Sequence, residues 1–166
     1  PANKTETMSV SDLKYQIMDN GLAKIEDKVT VAGNFANQLR KKRKSMSDEE
    51  WDKMFSGLAT ATAEGGKVIK WEVKDVDVLY SPLTIAVQYE NSSMIQRTGD
   101  MMIFGIPQKA RSKSFLSQKR RNLAVFRPND GTQCNYLFNK PADYEIVSLP
   151  KKVTLDTPFA TYVREY

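Results

Sequence analysis

The apolar periodicity predicts an α+β protein, with an N-terminal helical region of two or three helices followed by a small antiparallel β-sandwich or barrel. Three observations carry this expectation. Before Gly65-Gly66 apolar residues recur at intervals of three and four, after it they alternate, and the later apolar runs are strand-sized and separated by turn signals. Helices first and strands second is the order of the α+β class rather than of alternating α/β folds. The expected division is a helical region over 1–64 and a β-domain over 67–166, joined in one compact unit. The length of 166 residues suits a single domain.

The first helix is expected from Ser9-x-x-Asp12, which resembles a capping box, followed by Val10, Leu13, Ile17, Leu22 and Ile25, with Asn20-Gly21 as its end or as a turn. A second runs through Val31, Phe35 and Leu39 into the basic run Arg40, Lys41, Lys42, Arg43, Lys44, whose cations suit the negative end of a helix dipole. A third starts at Ser47-Asp48-Glu49-Glu50, a capping box with acidic first-turn residues, and places Trp51, Met54, Phe55 and Leu58 on one face.

Beyond Gly66, Ile69, Trp71 and Val73 share one parity and Val76, Val78 and Tyr80 the other, so a bulge or sharp bend is expected between Lys74 and Asp75. Ser81-Pro82 marks a turn, and Leu83, Ile85, Val87 and Tyr89 alternate without a slip. Further strands are expected at Met101–Ile106, Leu123–Phe126, Cys134–Phe138, Tyr144–Leu149 and Val153–Leu155, with a last one including Tyr162.

Composition narrows the chemistry. There is no histidine, which removes Ser-His-Asp and Cys-His nucleophile pairs, HExxH zinc sites and imidazole proton shuttles. A single cysteine removes intramolecular disulfides and thiolate metal clusters. No cofactor and no small-molecule substrate are expected. The one constellation with catalytic content is Glu72-Val73-Lys74, with Asp75 and Asp77 after it. Glu-x-Lys on a strand resembles the core of the metal-dependent nuclease fold, in which carboxylates hold magnesium and lysine orients water; the resemblance implies such roles for Glu72 and Lys74. That pattern needs a second acid on an earlier strand, and here only helix is expected upstream. The expectation is therefore a non-enzyme, with Lys70, Glu72 and Lys74 as the wet face of an amphipathic strand.

Charge is the main functional clue. The net charge is +5, yet the run 40–44 and the stretch 101–129 together hold +12, leaving −7 for everything else. An acidic body with two basic segments is the footprint of a phosphate-binding protein. The residues expected to contact nucleic acid or another polyanion are Arg40, Lys41, Lys42, Arg43 and Lys44, together with Lys109, Arg111, Lys113, Lys119, Arg120 and Arg121. The second stretch also supplies serine and glutamine donors, as phosphate contacts require. The expected function is sequence-tolerant, salt-dependent polyanion binding, RNA or DNA favoured, in a self-associating structural protein of the viral coat or matrix type. A peripheral protein on an anionic membrane, with Phe115-Leu116 among the basic residues, is the second reading. A pure interaction module that meets an acidic protein partner is a further one.

No apolar run approaches the ~18 residues of a membrane span. The expected setting is soluble and reducing, cytoplasmic or nuclear, or within a virion. Lys41-Lys42-Arg43-Lys44 fits a simple nuclear import pattern, and Arg111-Ser112-Lys113-Ser114 resembles a basophilic kinase site.

Overall fold

The computed structural model describes residues 9–62, 65–105, 132–157 and 160–166. It corrects the expected fold class, because the first two elements are strands. β1 (Ser9–Ile17) and β2 (Ala23–Val31) form an antiparallel hairpin, then α1 (Gly33–Ser45) and α2 (Asp48–Thr62) follow as a helical pair. β3 (Lys67–Lys74) and β4 (Leu83–Asn91) return to the same sheet. β5 (Ile95–Thr98) and β6 (Met101–Phe104) make a separate small hairpin, β7 (Thr132–Asn139) rejoins the main sheet, and β8 (Val153–Thr157) with β9 (Ala160–Arg164) forms a last hairpin. The main sheet has the order β3-β4-β2-β1-β7 and is mixed, since β7 runs parallel to β1. It therefore draws strands from both sides of Gly65-Gly66, and the chain is neither a helical region followed by a barrel nor a purely antiparallel sandwich.

The reason for the misread hairpin is local. Leu13 and Ile17 are four residues apart, a spacing shared by one helical turn and by two strand repeats. In the structure Ser11, Leu13 and Tyr15 are buried while Lys14 and Gln16 are exposed, the alternation of a half-buried strand. Ala23, Ile25 and Val31 do the same on β2. Asn20-Gly21 is the turn between them: Gly21 has φ 83° and the Asn20 side-chain oxygen accepts from the Leu22 amide at 3.0 Å.

The other corrections are smaller. Asp75 has φ 63°, so the sharp bend after Lys74 is present, but the register irregularity lies between Val68 and Lys70, and 76–80 is loop rather than strand. Residues 144–149 belong to no strand or helix, the sequence pattern does not predict β5, and Leu123–Phe126 lies outside the described residues. The helix expected from Ser47 is α2, and it begins where the capping box places it. The Ser47 amide donates to Glu50 Oε2 at 2.8 Å and the Glu50 amide to Ser47 Oγ at 3.3 Å, a reciprocal capping box.

The helices and the β5–β6 hairpin lie on one face of the sheet. Over one end, Ala36 of α1 packs with Val31 and Leu83, with Leu39, Val73 and Ile85 beside them. Over the other, Leu13, Tyr15, Ile25 and Tyr89 meet Ala59, Met94 and Ile95. Tyr15 anchors an aromatic group with Phe138 at 4.8 Å and Phe104 at 5.3 Å between ring centroids. Asn91 is buried, its side-chain oxygen accepting from the Ser93 and Met94 amides at 2.8 Å, which fixes the turn from β4 into β5.

Two outcomes are expected. Ser47→Ala loses one of the two reciprocal cap bonds and lowers stability by about 1 kcal/mol in a urea titration. Burial pushes the Tyr136 phenol up to about 12 and those of Tyr15 and Tyr89 further above their ordinary value. A phenol whose folded pKa exceeds its unfolded one stabilises the fold fully below the unfolded pKa of about 10 and loses that contribution above it. Stability should therefore be insensitive to these three groups near neutrality and fall as pH rises past about 10, with phenolate absorbance appearing together with loss of tertiary signal.

Candidate functional site

The basic run sits in the last turn and a half of α1, at the negative end of the helix dipole. The structure assigns its five members quite different positions. Arg40 is buried, only 4% exposed. Its Nε donates to the Asp75 carbonyl at 3.3 Å, Nη2 to the Ser81 carbonyl at 2.5 Å, and Nη1 to Asn37 Oδ1 at 3.1 Å. The planar fork of a guanidinium reaches two carbonyls at once, which a lysine ammonium on a single point does not. Arg40 thus ties α1 to both ends of the β3–β4 connection.

Arg43 is committed to the helix–sheet contact. Its guanidinium carbon lies 5.3 Å from the Trp71 ring centroid and 5.9 Å from that of Trp51, while Nη2 pairs with Asp48 Oδ1 at 2.7 Å. Trp51 and Trp71 are stacked at 6.0 Å, Phe55 closes the group, and the Trp71 indole N–H donates to Asp52 Oδ1. Lys44 pairs with Asp77 at 2.8 Å, and this ammonium, through hydrogen bond and charge, holds the fully exposed Asp77 carboxyl below its usual range. Lys42 reaches the Met54 sulfur at 3.6 Å, and Lys41 is exposed. Around the run stand Asp48, Glu49 and Glu50 of the α2 first turn and Asp77 of the connection, so the local field is far weaker than five consecutive cations suggest.

The connection held by Arg40 has an unusual conformation. Asp75 and Tyr80 have φ of 63° and 65°, and among the described residues they are the non-glycine ones with positive φ. Each neighbours or is a carbonyl gripped by Arg40: Asp75 itself at one end and Ser81, next to Tyr80, at the other. Between them Val78 is 49%, Leu79 67% and Tyr80 95% exposed. The parity of Val76, Val78 and Tyr80 predicts a strand face, whereas these residues lie in loop. The available signal was Tyr80-Ser81-Pro82 next to Asp75 and Asp77, a turn-rich frame around three apolar residues.

Glu72 and Lys74 lie on β3, an edge strand, and pair with each other at 3.3 Å. The residues opposite them on β4 are Ala86 and Thr84, and no group of three metal-ligating acids or thiols occurs among the described residues. Lys109, Arg111, Lys113, Lys119, Arg120 and Arg121 lie outside the described residues.

Arg40→Met should cost roughly 2–4 kcal/mol, because it strands two carbonyls and removes the tie between helix and connection. Limited proteolysis should then cut at 75–81 first. Lys41→Ala should leave stability within about 0.5 kcal/mol. No helix among the described residues is long and apolar enough to cross a membrane. The chain matches no family model, no curated protein and no solved structure.

Proposed function

We propose that the chain is a non-catalytic binding and assembly protein whose polyanion contact is made by Lys109, Arg111, Lys113, Lys119, Arg120 and Arg121 rather than by the run on α1. One observation carries this reading. Residues 106–131 hold seven cations against one acid, a net of +6, which leaves −1 for the rest of a chain whose total is +5. Within that remainder, Arg40, Arg43 and Lys44 are engaged by carbonyls, Asp48 and Asp77. Their charge supports the fold, and Lys41 and Lys42 are left as auxiliary contacts. Phosphate binding by an uncompensated cationic segment on a near-neutral body is sequence-tolerant and driven by counterion release.

The assembly part of the reading is favoured by the distribution of apolar surface. Ile146, Val147, Leu149, Val153, Leu155, Tyr162 and Val163 are all exposed in the last 21 residues. Exposed apolar side chains concentrated in one stretch of chain, two of them paired across the β8–β9 hairpin as Leu155 and Tyr162, favour an association surface.

The test is fluorescence anisotropy with a labelled single-stranded oligonucleotide across a salt series. Binding should weaken steeply with salt. The triple change Lys119→Gln, Arg120→Gln, Arg121→Gln should reduce the log–log slope by about 2, at roughly 0.7 per phosphate contact. The pair Lys41→Gln, Lys42→Gln should change it by less. Binding that is absent, or that survives unchanged in high salt, overturns the proposal.

A further inference from the structure

The Asn20-Gly21 turn carries chemistry that the polyanion reading does not use. It is the one Asn-Gly pair in the chain, and it joins β1 to β2, the central strand of the main sheet. An asparagine followed by glycine is open to attack on its own side chain, because a residue without Cβ leaves the next backbone nitrogen unshielded. In that reaction the Gly21 nitrogen gives its proton to solvent base and forms a bond to Asn20 Cγ. The Cγ–Nδ2 bond breaks and ammonia leaves, closing a five-membered imide. Water then adds to one of the two imide carbonyls. Addition at Cγ breaks the new bond and gives aspartate; addition at the Asn20 backbone carbon breaks the original peptide bond and gives isoaspartate, whose main chain runs through Cβ and Cγ.

The folded turn holds the participants away from this reaction. The Gly21 N–H, which must be surrendered, donates to the Met18 carbonyl at 2.9 Å. The Asn20 side-chain oxygen, which must move with Cγ, accepts from the Leu22 amide at 3.0 Å. The Met18 amide donates to the Leu22 carbonyl at 2.9 Å and closes the loop. From outside the loop, Arg97 Nη1 of β5 donates to the Asp19 carbonyl at 3.1 Å. Gly21 itself sits in the left-handed region that such a hairpin loop requires, with φ 83°. Asn20 is exposed, so water and base reach it freely. The restraint is hydrogen bonding and not burial.

We propose that Asn20-Gly21 is a self-modification site gated by the fold, slow while the β1–β2 turn is closed and converted to aspartate or isoaspartate when the turn opens. Refolding does not undo the mark, and the isoaspartyl form adds a methylene to the main chain. β1 and β2 pair without a slip from Ile17↔Ala23 to Ser9↔Val31, and the two backbone bonds of the loop between them suit a chain of ordinary length. The added methylene disrupts that loop at the point where the register of the central strand is set. Opening of the hairpin is thereby recorded as a lasting weakness of the sheet.

The test incubates the full chain in alkaline buffer, with and without guanidinium chloride, and follows the tryptic peptide Tyr15–Lys24 by chromatography and mass spectrometry. Product is heavier by the difference between a hydroxyl and an amino group, and the aspartyl and isoaspartyl forms separate as two peaks. It should form roughly thirtyfold faster in the unfolded chain, the factor that two broken hydrogen bonds of ordinary net strength supply. Arg97→Met should raise the folded rate, with circular dichroism unchanged, and leave the unfolded rate as it was. Asn20→Ser should give no product. The isoaspartyl chain, returned to native buffer, should unfold at a lower denaturant concentration than the unmodified one. Equal rates in the folded and unfolded chain overturn the gate, and absence of product at Asn20 in denaturant overturns the site. An unchanged midpoint for the isoaspartyl chain overturns its effect on the sheet. None of these readouts involves oligonucleotide binding, so this site and the polyanion segment stand or fall separately.

Discussion

The main sheet and the elements that cover it are arranged around β2, its central strand. It is paired on both edges, by β1 and β4, and its apolar residues Ala23, Ile25 and Val31 all lie on one face. A strand paired on both sides has its backbone satisfied, and it needs cover only where its side chains are apolar. That single requirement explains why both helices and the β5–β6 hairpin lie over the same face. It also explains the mixed order of the sheet. After β2, the helical pair carries the chain to the outer edge, β3 and β4 return as a hairpin, and β7 is left to pair beside β1 in parallel.

The helical pair must then be held in register with a sheet edge that follows it in sequence, and the basic run on α1 performs that task. Arg40 reaches carbonyls 35 and 41 residues away, Arg43 lies over two tryptophans from different elements, and Lys44 pairs with Asp77. The Arg40 contacts are the substantial ones, because they are removed from water; exposed pairs such as Lys44–Asp77 contribute little to stability. Cation supply and loop geometry are coupled in this way. The residues that would otherwise form a phosphate-binding patch keep the 75–81 connection in its disfavoured backbone, with its apolar tip outward.

Legibility in the sequence followed the range of the forces involved. The capping box at Ser47, the helix through Phe35 and Leu39, the turn at Asn20-Gly21 and the alternation of Leu83–Tyr89 all rest on neighbours within four residues, and each is present in the structure, whereas Val31, expected on that helix, is the last residue of β2. The β1–β2 hairpin is hidden in the sequence because Leu13 and Ile17 satisfy both periods, and the arbiter is the burial of Tyr15 between them against Phe104 and Phe138, which lie 89 and 123 residues further along the chain. The parallel pairing of β7 with β1 left no local trace at all. Asp75–Tyr80 read as a strand because alternation was counted without the helix that bends the backbone there.

The sequence by itself determined the amount and placement of charge along the chain, the absence of imidazole chemistry, the start of α2 and the turn at Asn20-Gly21, because these depend on residue identity and short-range hydrogen bonding. Only the tertiary structure decided which cations are committed, which apolar residues face water and which strands are neighbours. A charge run has no function until the distances to its counter-charges are set, and those distances, such as Arg40 to the Ser81 carbonyl, come from the folding of distant segments onto one sheet.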